Sequence, residues 1–268
     1  MSKTIFMTGT STGLGRAAAK LFASKGWSVI ATMRKPEAEK ELGSIHGITL
    51  LPLDVTKPDQ IRDAARAALE KGRVDVLFNN AGYGLAGPLE GTSDAEIVRE
   101  IDTNLVGVIR TTQAFIPAFR EQRSGLVITT TSIGGHVGFP FNSVYHATKW
   151  ALEGWSESVS HELAKFGIGV KTVAPGGIKT DFISRSLVLA EHAAYAEHTA
   201  RVLAYFTSPE HAAQASTAEQ IADVVYEAAT DGKDQLRYIA GADANALFAQ
   251  RQAAGAEAFR LGMRQMFG

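Results

Sequence analysis

The fold is decided by one stretch near the amino terminus, Thr4-Ile5-Phe6-Met7-Thr8-Gly9-Thr10-Ser11-Thr12-Gly13-Leu14-Gly15. A short apolar run comes first, a glycine-rich turn follows it, and a helix-compatible segment begins at Arg16. Glycine lets the main chain approach a ligand closely, and the free N–H groups of a helix start attract a pyrophosphate. We therefore expect this turn to hold a dinucleotide through Gly9, Thr10, Ser11, Thr12, Gly13, Leu14 and Gly15. A tight turn without a ligand is the alternative, because the glycine spacing departs from G-x-G-x-x-G.

Short apolar runs alternate with helix-length amphipathic segments along the chain. The runs span 4–7, 28–32, 48–53, 74–78, 126–130, 169–173 and 236–239, and the helix candidates span 14–25, 58–71, 94–121, 144–166 and 217–230. This alternation favours a parallel sheet covered by helices. The expected fold class is α/β, a three-layer doubly wound Rossmann fold with a central parallel sheet of about seven strands.

Residues 1–268 are expected to form a single dinucleotide-binding domain of this kind. The segment 181–215 is polar, rich in alanine, and longer than a usual connection in a compact domain. Because it follows a strand end where ligands often bind, we expect it to be an insertion that covers the substrate.

Composition narrows the possible partners and compartments. The chain has 27 basic and 28 acidic side chains and no long charged block, so nucleic acid is not expected as a partner. The absence of cysteine excludes disulfides and thiolate chemistry. No apolar stretch approaches the roughly 18 residues of a membrane span, and we expect a cytoplasmic protein without membrane contact.

Polar residues follow two of the predicted strands directly. Asp54 and Val55 come after the third strand, and Asn80, Ala81 and Gly82 come after the fourth. In open parallel sheets this edge holds the ligand, which predicts contacts from Asp54 to an adenine amino group and from 80–82 to a ribose. Asp and Asn are also ordinary turn and cap residues, and that alternative remains open for each motif taken alone.

Tyr145 and Lys149 stand one helical turn apart in a segment with helical apolar spacing. A free tyrosine has a pKa of about 10, so it exchanges protons poorly at neutral pH unless a cation favours its phenolate. Lys149 is positioned to supply that cation. The pair therefore predicts an acid for carbonyl reduction, with an unremarkable surface pair as the alternative.

These motifs together resemble the short-chain dehydrogenase/reductase family. Its members carry Thr-Gly-x-x-x-Gly-x-Gly, Asn-Asn-Ala-Gly, a serine, Tyr-x-x-x-Lys and Pro-Gly in this order, and all of these occur within the first 182 residues. The block 144–154 is similar to the branch that includes 17-beta-hydroxysteroid and retinol dehydrogenases. The resemblance implies four catalytic residues, Asn104, Ser132, Tyr145 and Lys149.

Within that set the resemblance implies that Ser132 orients the substrate and that Asn104 supports a water connecting Lys149 to solvent. It further implies that Tyr145 and Lys149 also contact the cofactor. The segment 175–180 would meet the nicotinamide end of the cofactor through Pro175, Gly176, Ile178 and Thr180. Relatives of this kind are commonly dimers or tetramers, and we expect a homodimer or homotetramer.

The residues at the end of the second strand predict which dinucleotide is preferred. Met33 stands where NAD-preferring relatives carry an Asp, and Arg34 and Lys35 follow it. A guanidinium suits a 2′-phosphate, so we expect NADP(H) to be preferred and NAD(H) to remain possible, with Arg34 as the phosphate contact. Two solvated cations before Pro36 are the alternative.

The function expected is an NADP(H)-dependent oxidoreductase that interconverts a ketone or aldehyde and an alcohol. Tyr145 would supply the proton, made more acidic by Lys149, while Ser132 donates a hydrogen bond. Substrate contacts are expected from Ser132, Gly134, Asn142 and Tyr145, with apolar residues such as Phe182 and Phe206 favouring a hydrophobic substrate. Two other functions remain open, a dinucleotide-sensing binding protein and a dehydratase or epimerase.

Overall fold

The structure is a computed structural model that describes residues 2–179 and 187–268. The first part of the chain forms β1 (Thr4–Met7), α1 (Gly13–Ser24), β2 (Ser28–Met33), β3 (Ile48–Pro52), α2 (Pro58–Glu70), β4 (Val76–Asn79), β5 (Gly84–Ala86), α3 (Asp94–Ile101), α4 (Gly107–Gln122), β6 (Gly125–Thr130) and α5 (Ser143–Ala164). The second part forms β7 (Ile168–Pro175), β8 (Ile178–Lys179), β9 (Leu187–Leu189), α6 (Ala196–Phe206), α7 (Pro209–Gln214), β10 (Ser216–Thr217), α8 (Ala218–Thr230), β11 (Arg237–Ala240), α9 (Ala242–Ala254) and α10 (Ala256–Phe267).

Among the described residues, seven strands form one sheet in the order β3-β2-β1-β4-β6-β7-β11. Every neighbouring pair in it is parallel. From β1 the chain adds β2 and then β3 on one side of the sheet. It then returns, so that β4 lies on the other side of β1. This reversal opens a crevice at the carboxyl ends of β1 and β4, where doubly wound sheets bind their ligands. The fold class predicted from the sequence is confirmed.

The two faces of the sheet are covered by separate apolar layers. Along β1, Ile5 and Met7 enter one layer with residues of α1 and α8, while Phe6 enters the other with residues of α2, α4 and α5. This follows from the alternation of side chains along a strand. The ring of Phe6 packs against Phe115 of α4 with centroids 4.8 Å apart. Both layers hold the strand ends, and therefore the crevice, in fixed positions.

The helix expected over 94–121 is interrupted. A π-helical turn over Asp102–Val106 separates α3 from α4, and the Gly107 N–H bonds the Asp102 carbonyl oxygen across it. Such bulges are frequent at functional sites. Here the turn carries Asn104 inward, where its side chain is 1% exposed.

The segment 181–215 contains regular structure in its described part. β9 pairs in parallel with β5, and α6 and α7 follow it. The Phe206 ring at the end of α6 meets Phe139 edge to face at 5.4 Å and stacks with Phe267 of α10 at 6.1 Å. The segment is therefore anchored on one side to the loop before α5 and on the other to the carboxyl-terminal helix. Thr180 and Phe182, both named in the sequence predictions, lie outside the described residues.

Within the part of the chain that the structure describes, no helix combines the length and apolar character required to cross a membrane.

Candidate active site

Tyr145 and Lys149 lie one turn apart at the start of α5 and face the carboxyl end of β6. The Lys149 Nζ is 5.6 Å from the centroid of the Tyr145 ring. The Ser132 hydroxyl, two residues beyond β6, lies close enough to the phenol to lower its pKa. The structure thus brings together three of the four predicted catalytic side chains.

The phenol of Tyr145 is harder to ionise than the sequence suggested. Burial raises the pKa of Tyr145 to about 12, the Ser132 hydroxyl opposes that change, and the charge of Glu100 adds to it. Loss of hydration is the largest of these effects and the Lys149 charge is not among them, so the more acidic phenol expected from the sequence is not seen in this structure. Tyr145 therefore keeps its proton throughout the neutral range and is suited to donate it.

Lys149 is almost entirely buried, with 7% of its surface exposed. Burial lowers the pKa of Lys149 to about 8, while the carboxylates of Glu100 and Glu153 act in the opposite direction. Its Nζ donates a hydrogen bond to the Thr130 carbonyl oxygen at 3.0 Å. The side chain is therefore fixed in place and is mainly an ammonium at neutral pH.

Ser132 begins a short 3₁₀ turn at the end of β6. Its Oγ accepts a hydrogen bond from the Gly134 N–H at 3.0 Å, which leaves its own O–H to be donated. The neighbouring Thr131 hydroxyl is instead directed into the sheet, where it donates to the Val173 carbonyl oxygen at 3.3 Å. The choice of Ser132 over the adjacent threonines stays a prediction. Gly134, which is predicted to contact substrate, is the residue whose N–H donates to the Ser132 hydroxyl.

His146 is a residue of this site that the sequence did not single out. Its Nδ1 lies 2.6 Å from the Gly134 carbonyl oxygen, and its Nε2 accepts from the Phe139 N–H at 3.1 Å. The acceptor role of Nε2 places the proton of the neutral ring on Nδ1. Burial lowers the pKa of His146, and the Gly134 contact only partly opposes this. The neutral ring therefore holds both ends of the segment 134–139, which follows Ser132.

Both the oxygen and the nitrogen of the Asn104 side-chain amide make hydrogen bonds. Its Oδ1 accepts from the Tyr83 N–H at 3.0 Å, and its Nδ2 donates to the Tyr83 carbonyl oxygen at 2.8 Å. The same Nδ2 donates to Glu100 Oε1 at 2.9 Å. Asn104 thus ties the turn after β4 to α3, and the water-supporting role implied by the family resemblance stays a prediction.

Glu100 is a second residue that the sequence analysis missed. It has no exposed surface. Burial raises the pKa of Glu100 to about 7, although the Lys149 charge, the Tyr83 hydroxyl, the Arg99 charge and the Leu85 N–H all lower it. The sequence does contain one indication of this role: Glu100 lies four residues before Asn104, and residues with that spacing share one face of a helix.

The glycine turn packs directly on the end of β4. Gly9 has a φ of +69°, and a Cβ there would lie 2.7 Å from the Ala81 Cα. A Cβ on Gly15 would lie 2.3 Å from the Gly9 carbonyl oxygen. Asn80 Nδ2 donates to that same oxygen at 3.0 Å. Thr8, which the sequence analysis passed over, accepts the N–H groups of Asn80 and Ala81 on its Oγ1 at 3.0 Å each.

The start of α1 fits a pyrophosphate. Gly13 opens the helix with a φ of +53°. Thr12 precedes it without a side-chain capping bond, and the first turn holds no acidic residue. The first N–H groups of a helix lack partners within it and carry its positive end, so an anion is favoured there. Of the other turn residues, Thr10 faces inward and donates to the Thr32 carbonyl oxygen at 3.1 Å.

Arg34 and Asp54 come together beside this turn, at the carboxyl ends of β2 and β3. Met33 is buried and Arg34 is exposed directly after it. Burial acts to raise the pKa of Asp54, but the two Thr56 hydrogen bonds and the charges of Arg34 and Lys57 together hold it below its usual range. One Asp54 oxygen accepts both Thr56 bonds, at 3.0 and 2.8 Å. Val55 is buried behind it.

The loop after β7 lies at the opposite end of the crevice. Pro175 is buried, and the Gly176 N–H donates to the Ala240 carbonyl oxygen at 3.1 Å. A Cβ on Gly176 would lie 2.2 Å from an Asp243 carboxyl oxygen, so a larger residue there would have to displace the Asp243 side chain. Ile178 is partly exposed in β8. The loop is therefore rigidly held where the resemblance places a nicotinamide contact.

Asn142 immediately precedes α5. Its Nδ2 donates to the Pro140 carbonyl oxygen at 2.9 Å, and its own carbonyl oxygen accepts the His146 N–H at 2.8 Å. It lies three residues before Tyr145, on the rim of the site. Its predicted contact with substrate stays a prediction.

Fold and site together define an α/β oxidoreductase built on a dinucleotide-binding sheet. A model of the short chain dehydrogenase family matches residues 3–187. A Botryotinia fuckeliana protein named Oxidoreductase BOA17 is 35% identical over 91% of this chain and 90% of its own. Human 17-beta-hydroxysteroid dehydrogenase type 1 is 35% identical over 89% of this chain and 77% of its own.

Solved structures give the same result. The crystal structure of a short-chain dehydrogenase from Streptomyces avermitilis is 33% identical, covers 95% of this chain and 94% of its own, and superposes with a TM-score of 0.86. A Burkholderia cenocepacia short chain dehydrogenase in complex with NADP is 25% identical, covers 98% and 97%, and gives a TM-score of 0.79. This chain belongs to the short-chain dehydrogenase/reductase family and is an NAD(P)-dependent dehydrogenase or reductase.

Proposed function

We propose that the chain is an NADP(H)-dependent oxidoreductase that interconverts a ketone or aldehyde with the corresponding alcohol, using Tyr145 as general acid and base. The observation that carries this proposal is the placement of one protonated phenol between a hydroxyl and an ammonium. The pKa of Tyr145 is about 12, the Ser132 O–H is free to donate, and the Lys149 Nζ lies 5.6 Å from the ring centroid. A carbonyl oxygen that meets both hydroxyls would be polarised and then protonated.

The chain's own residues account for the proton and its placement. A nicotinamide cofactor, when bound, supplies the hydride for reduction and accepts it in oxidation. Ser132 donates a hydrogen bond to the substrate oxygen, and Tyr145 transfers its proton to that oxygen as negative charge develops. The Lys149 ammonium stabilises the phenolate that remains. Oxidation reverses each step, with the phenolate of Tyr145 taking the proton from the alcohol.

The preference for NADP(H) is supported by the end of β2. Met33 offers no carboxylate to a ribose hydroxyl, and Arg34 is exposed beside Asp54 at the mouth of the glycine turn. A guanidinium placed there suits the 2′-phosphate. The similar Burkholderia cenocepacia protein, which holds NADP, gives further support.

A hydrophobic substrate is supported by the aromatic groups around the loop before α5. Phe139 meets Phe206 at 5.4 Å, and Phe141 meets Tyr195 at 6.3 Å, all from the loop and the segment that faces it. Aromatic walls with a few polar groups are typical of sites for apolar ligands. The polar groups here are the hydroxyls of Ser132 and Tyr145.

The proposal is tested by following NADPH oxidation over a panel of aldehydes, quinones, steroids and cyclic ketones, with NADH in parallel. We expect turnover with at least one class and a loss of about 10²-fold to 10⁴-fold in Tyr145→Phe, with NADPH binding retained. Tyr226→Phe, on α8 and packed against Phe22, is the matched control and should stay fully active. Near-normal activity in Tyr145→Phe would overturn the mechanism. Tight NADPH binding without turnover of any carbonyl would instead favour a dinucleotide sensor.

A further inference from the structure

A buried carboxyl group lies behind the proposed catalytic pair and takes no part in the mechanism described above. Glu100, the seventh residue of α3, has no exposed surface. Its Oε1 accepts a hydrogen bond from Asn104 Nδ2 at 2.9 Å. Its Oε2 makes no hydrogen bond of standard geometry within the described residues. An ionisable group of this kind is costly to bury unless charged or polar neighbours compensate for its lost hydration.

The neighbours of Glu100 come from several elements of the fold. Lys149 of α5 and Arg99 of α3 contribute positive charge, and the Tyr83 hydroxyl and the Leu85 N–H contribute polar contacts. Arg99 lies over the Tyr83 ring, 4.9 Å from its centroid. Asn104 completes the group from the π-helical turn. Glu100 is therefore the centre of a polar cluster that joins α3, the turn after β4, and α5.

The influence between Glu100 and the catalytic pair runs both ways. The Glu100 charge raises the pKa of Lys149, as does that of Glu153. It also raises the pKa of Tyr145. In return the Lys149 ammonium lowers the pKa of Glu100, which burial alone would raise further. The Glu100 carboxylate thus favours the protonated forms of both Lys149 and Tyr145.

We propose that Glu100 is a positioning residue whose carboxylate keeps Lys149 in its ammonium form and fixes Asn104, and so sets the pH range in which Tyr145 donates its proton. This inference rests on the proposed function, in which Tyr145 and Lys149 carry the proton transfer. It assigns a role to a residue outside the family motifs in this sequence. Its consequence is that removal of one buried charge changes the pH dependence of catalysis without changing any group that touches substrate.

The sign of the change is the same for both members of the pair. Without the Glu100 charge, Lys149 and Tyr145 each lose their proton at lower pH. In carbonyl reduction, where the proton is donated, the fall in kcat at alkaline pH should move to lower pH. In alcohol oxidation, where the phenolate accepts the proton, the rise in kcat should move in the same direction.

The test compares Glu100→Gln with Asp94→Asn, which makes the same charge change at an exposed position of α3. The first readout is kcat against pH with NADPH and the best carbonyl substrate. The second needs no turnover: the chain is labelled with [ε-¹³C]lysine, the Lys149 signal is assigned by its absence in Lys149→Met, and its titration is followed by NMR. We expect both curves to move down by about one pH unit in Glu100→Gln and to stay unchanged in Asp94→Asn.

Two outcomes would overturn the inference. One is a Lys149 titration and a kcat profile in Glu100→Gln that match the unmodified chain. The other is a Glu100→Asp variant, which retains the charge, that titrates like Glu100→Gln, since packing and not charge would then explain the effect. Because the NMR titration does not depend on turnover, it separates this failure from a failure of the proposed function, which near-normal activity in Tyr145→Phe would reveal.

Discussion

The Lys149 ammonium donates a hydrogen bond to the Thr130 carbonyl oxygen at 3.0 Å, and this contact joins α5 to the carboxyl end of β6. The Thr130 hydroxyl donates to Asn80 Oδ1 at 3.3 Å, and Asn80 Nδ2 donates to the Gly9 carbonyl oxygen at 3.0 Å. One series of hydrogen bonds therefore runs from the proposed proton-transfer helix to the glycine turn across the ends of β6, β4 and β1. The proposed proton-transfer groups and the proposed cofactor-binding groups are therefore connected through hydrogen bonds at the strand ends.

Replacement of Lys149 should weaken catalysis and stabilise the fold. We expect Lys149→Met to lower kcat by about 10²-fold to 10⁴-fold, because the phenolate of Tyr145 loses its neighbouring cation. The pKa of Lys149 is about 8 in the fold against an ordinary 10.5. The unfolded chain therefore binds this proton more tightly, and the stability of the unmodified protein should rise from pH 8 to 10.5 by on the order of 2 kcal/mol.

Lys149→Met should lack that rise and should be more stable than the unmodified chain at pH 7. Urea unfolding at pH 7, 8 and 9.5 measures both. Lys165→Met, exposed at the other end of α5, is the control and should keep the activity and the pH dependence of the unmodified chain. A Lys149→Met variant that is less stable than the unmodified chain at pH 7 would show that the Thr130 contact outweighs the cost of burying the charge.

The glycine turn should tolerate no added methyl group. A Cβ at Gly15 would lie 2.3 Å from the Gly9 carbonyl oxygen and 2.6 Å from Asn80 Nδ2, so Gly15→Ala must displace main chain. We expect a loss of about 1–3 kcal/mol of stability and a loss of NADPH binding. Gly154→Ala is the matched control because, among the described residues and apart from its neighbours in α5, no atom lies within 4 Å of a Cβ at this position. It should gain up to about 1 kcal/mol. Equal NADPH affinities in the two variants would refute this account of the turn.

Much of the fold and part of the site could be predicted from the sequence. The seven strands and their helices follow from local patterns of apolar residues, and Gly9, Asn80, Ser132 and Tyr145 fall at strand ends or helix starts that those patterns locate. The π-helical turn at Asp102–Val106 could not be predicted, because the partner of its central residue Asn104 is Tyr83, which lies 21 residues away in the sequence.

The protonation behaviour of the site could not be predicted for the same reason. The sequence places Lys149 one turn from Tyr145 and suggests a more acidic phenol. The structure adds burial, which raises the pKa of Tyr145, and the charge of Glu100, which acts in the same direction. Both effects come from residues brought together by the fold, and neither leaves a mark in the spacing of the motif.

Cofactor selectivity should depend on Arg34. We expect Arg34→Ala to weaken NADPH binding by about tenfold to a hundredfold and to leave NADH binding unchanged, because only the 2′-phosphate offers the charge-assisted bond. Tryptophan fluorescence titration with both cofactors measures this ratio. Arg66→Ala, an exposed arginine of α2, is the control for the loss of one positive charge. Equal losses for NADH and NADPH in Arg34→Ala would remove the basis for the NADP(H) preference.

His146 should make the site sensitive to acid. Its neutral ring accepts the Phe139 N–H on Nε2, a bond that protonation abolishes. Burial lowers the pKa of His146 from its ordinary 6.5, so the unfolded chain takes up this proton first and stability should fall as the pH drops below 6.5. In His146→Ala that part of the pH dependence should vanish, and the loop carrying Ser132 should loosen at all pH values, with a cost of about 1–3 kcal/mol. Thermal unfolding from pH 5 to 7.5 measures how steeply stability changes with pH, and kcat at pH 7 reports on Ser132.

The control is His161→Ala, which is exposed on the same helix and should retain the slope of the unmodified chain. If His146→Ala keeps that slope as well, the acid sensitivity belongs to other groups and the ring serves only to pack the loop.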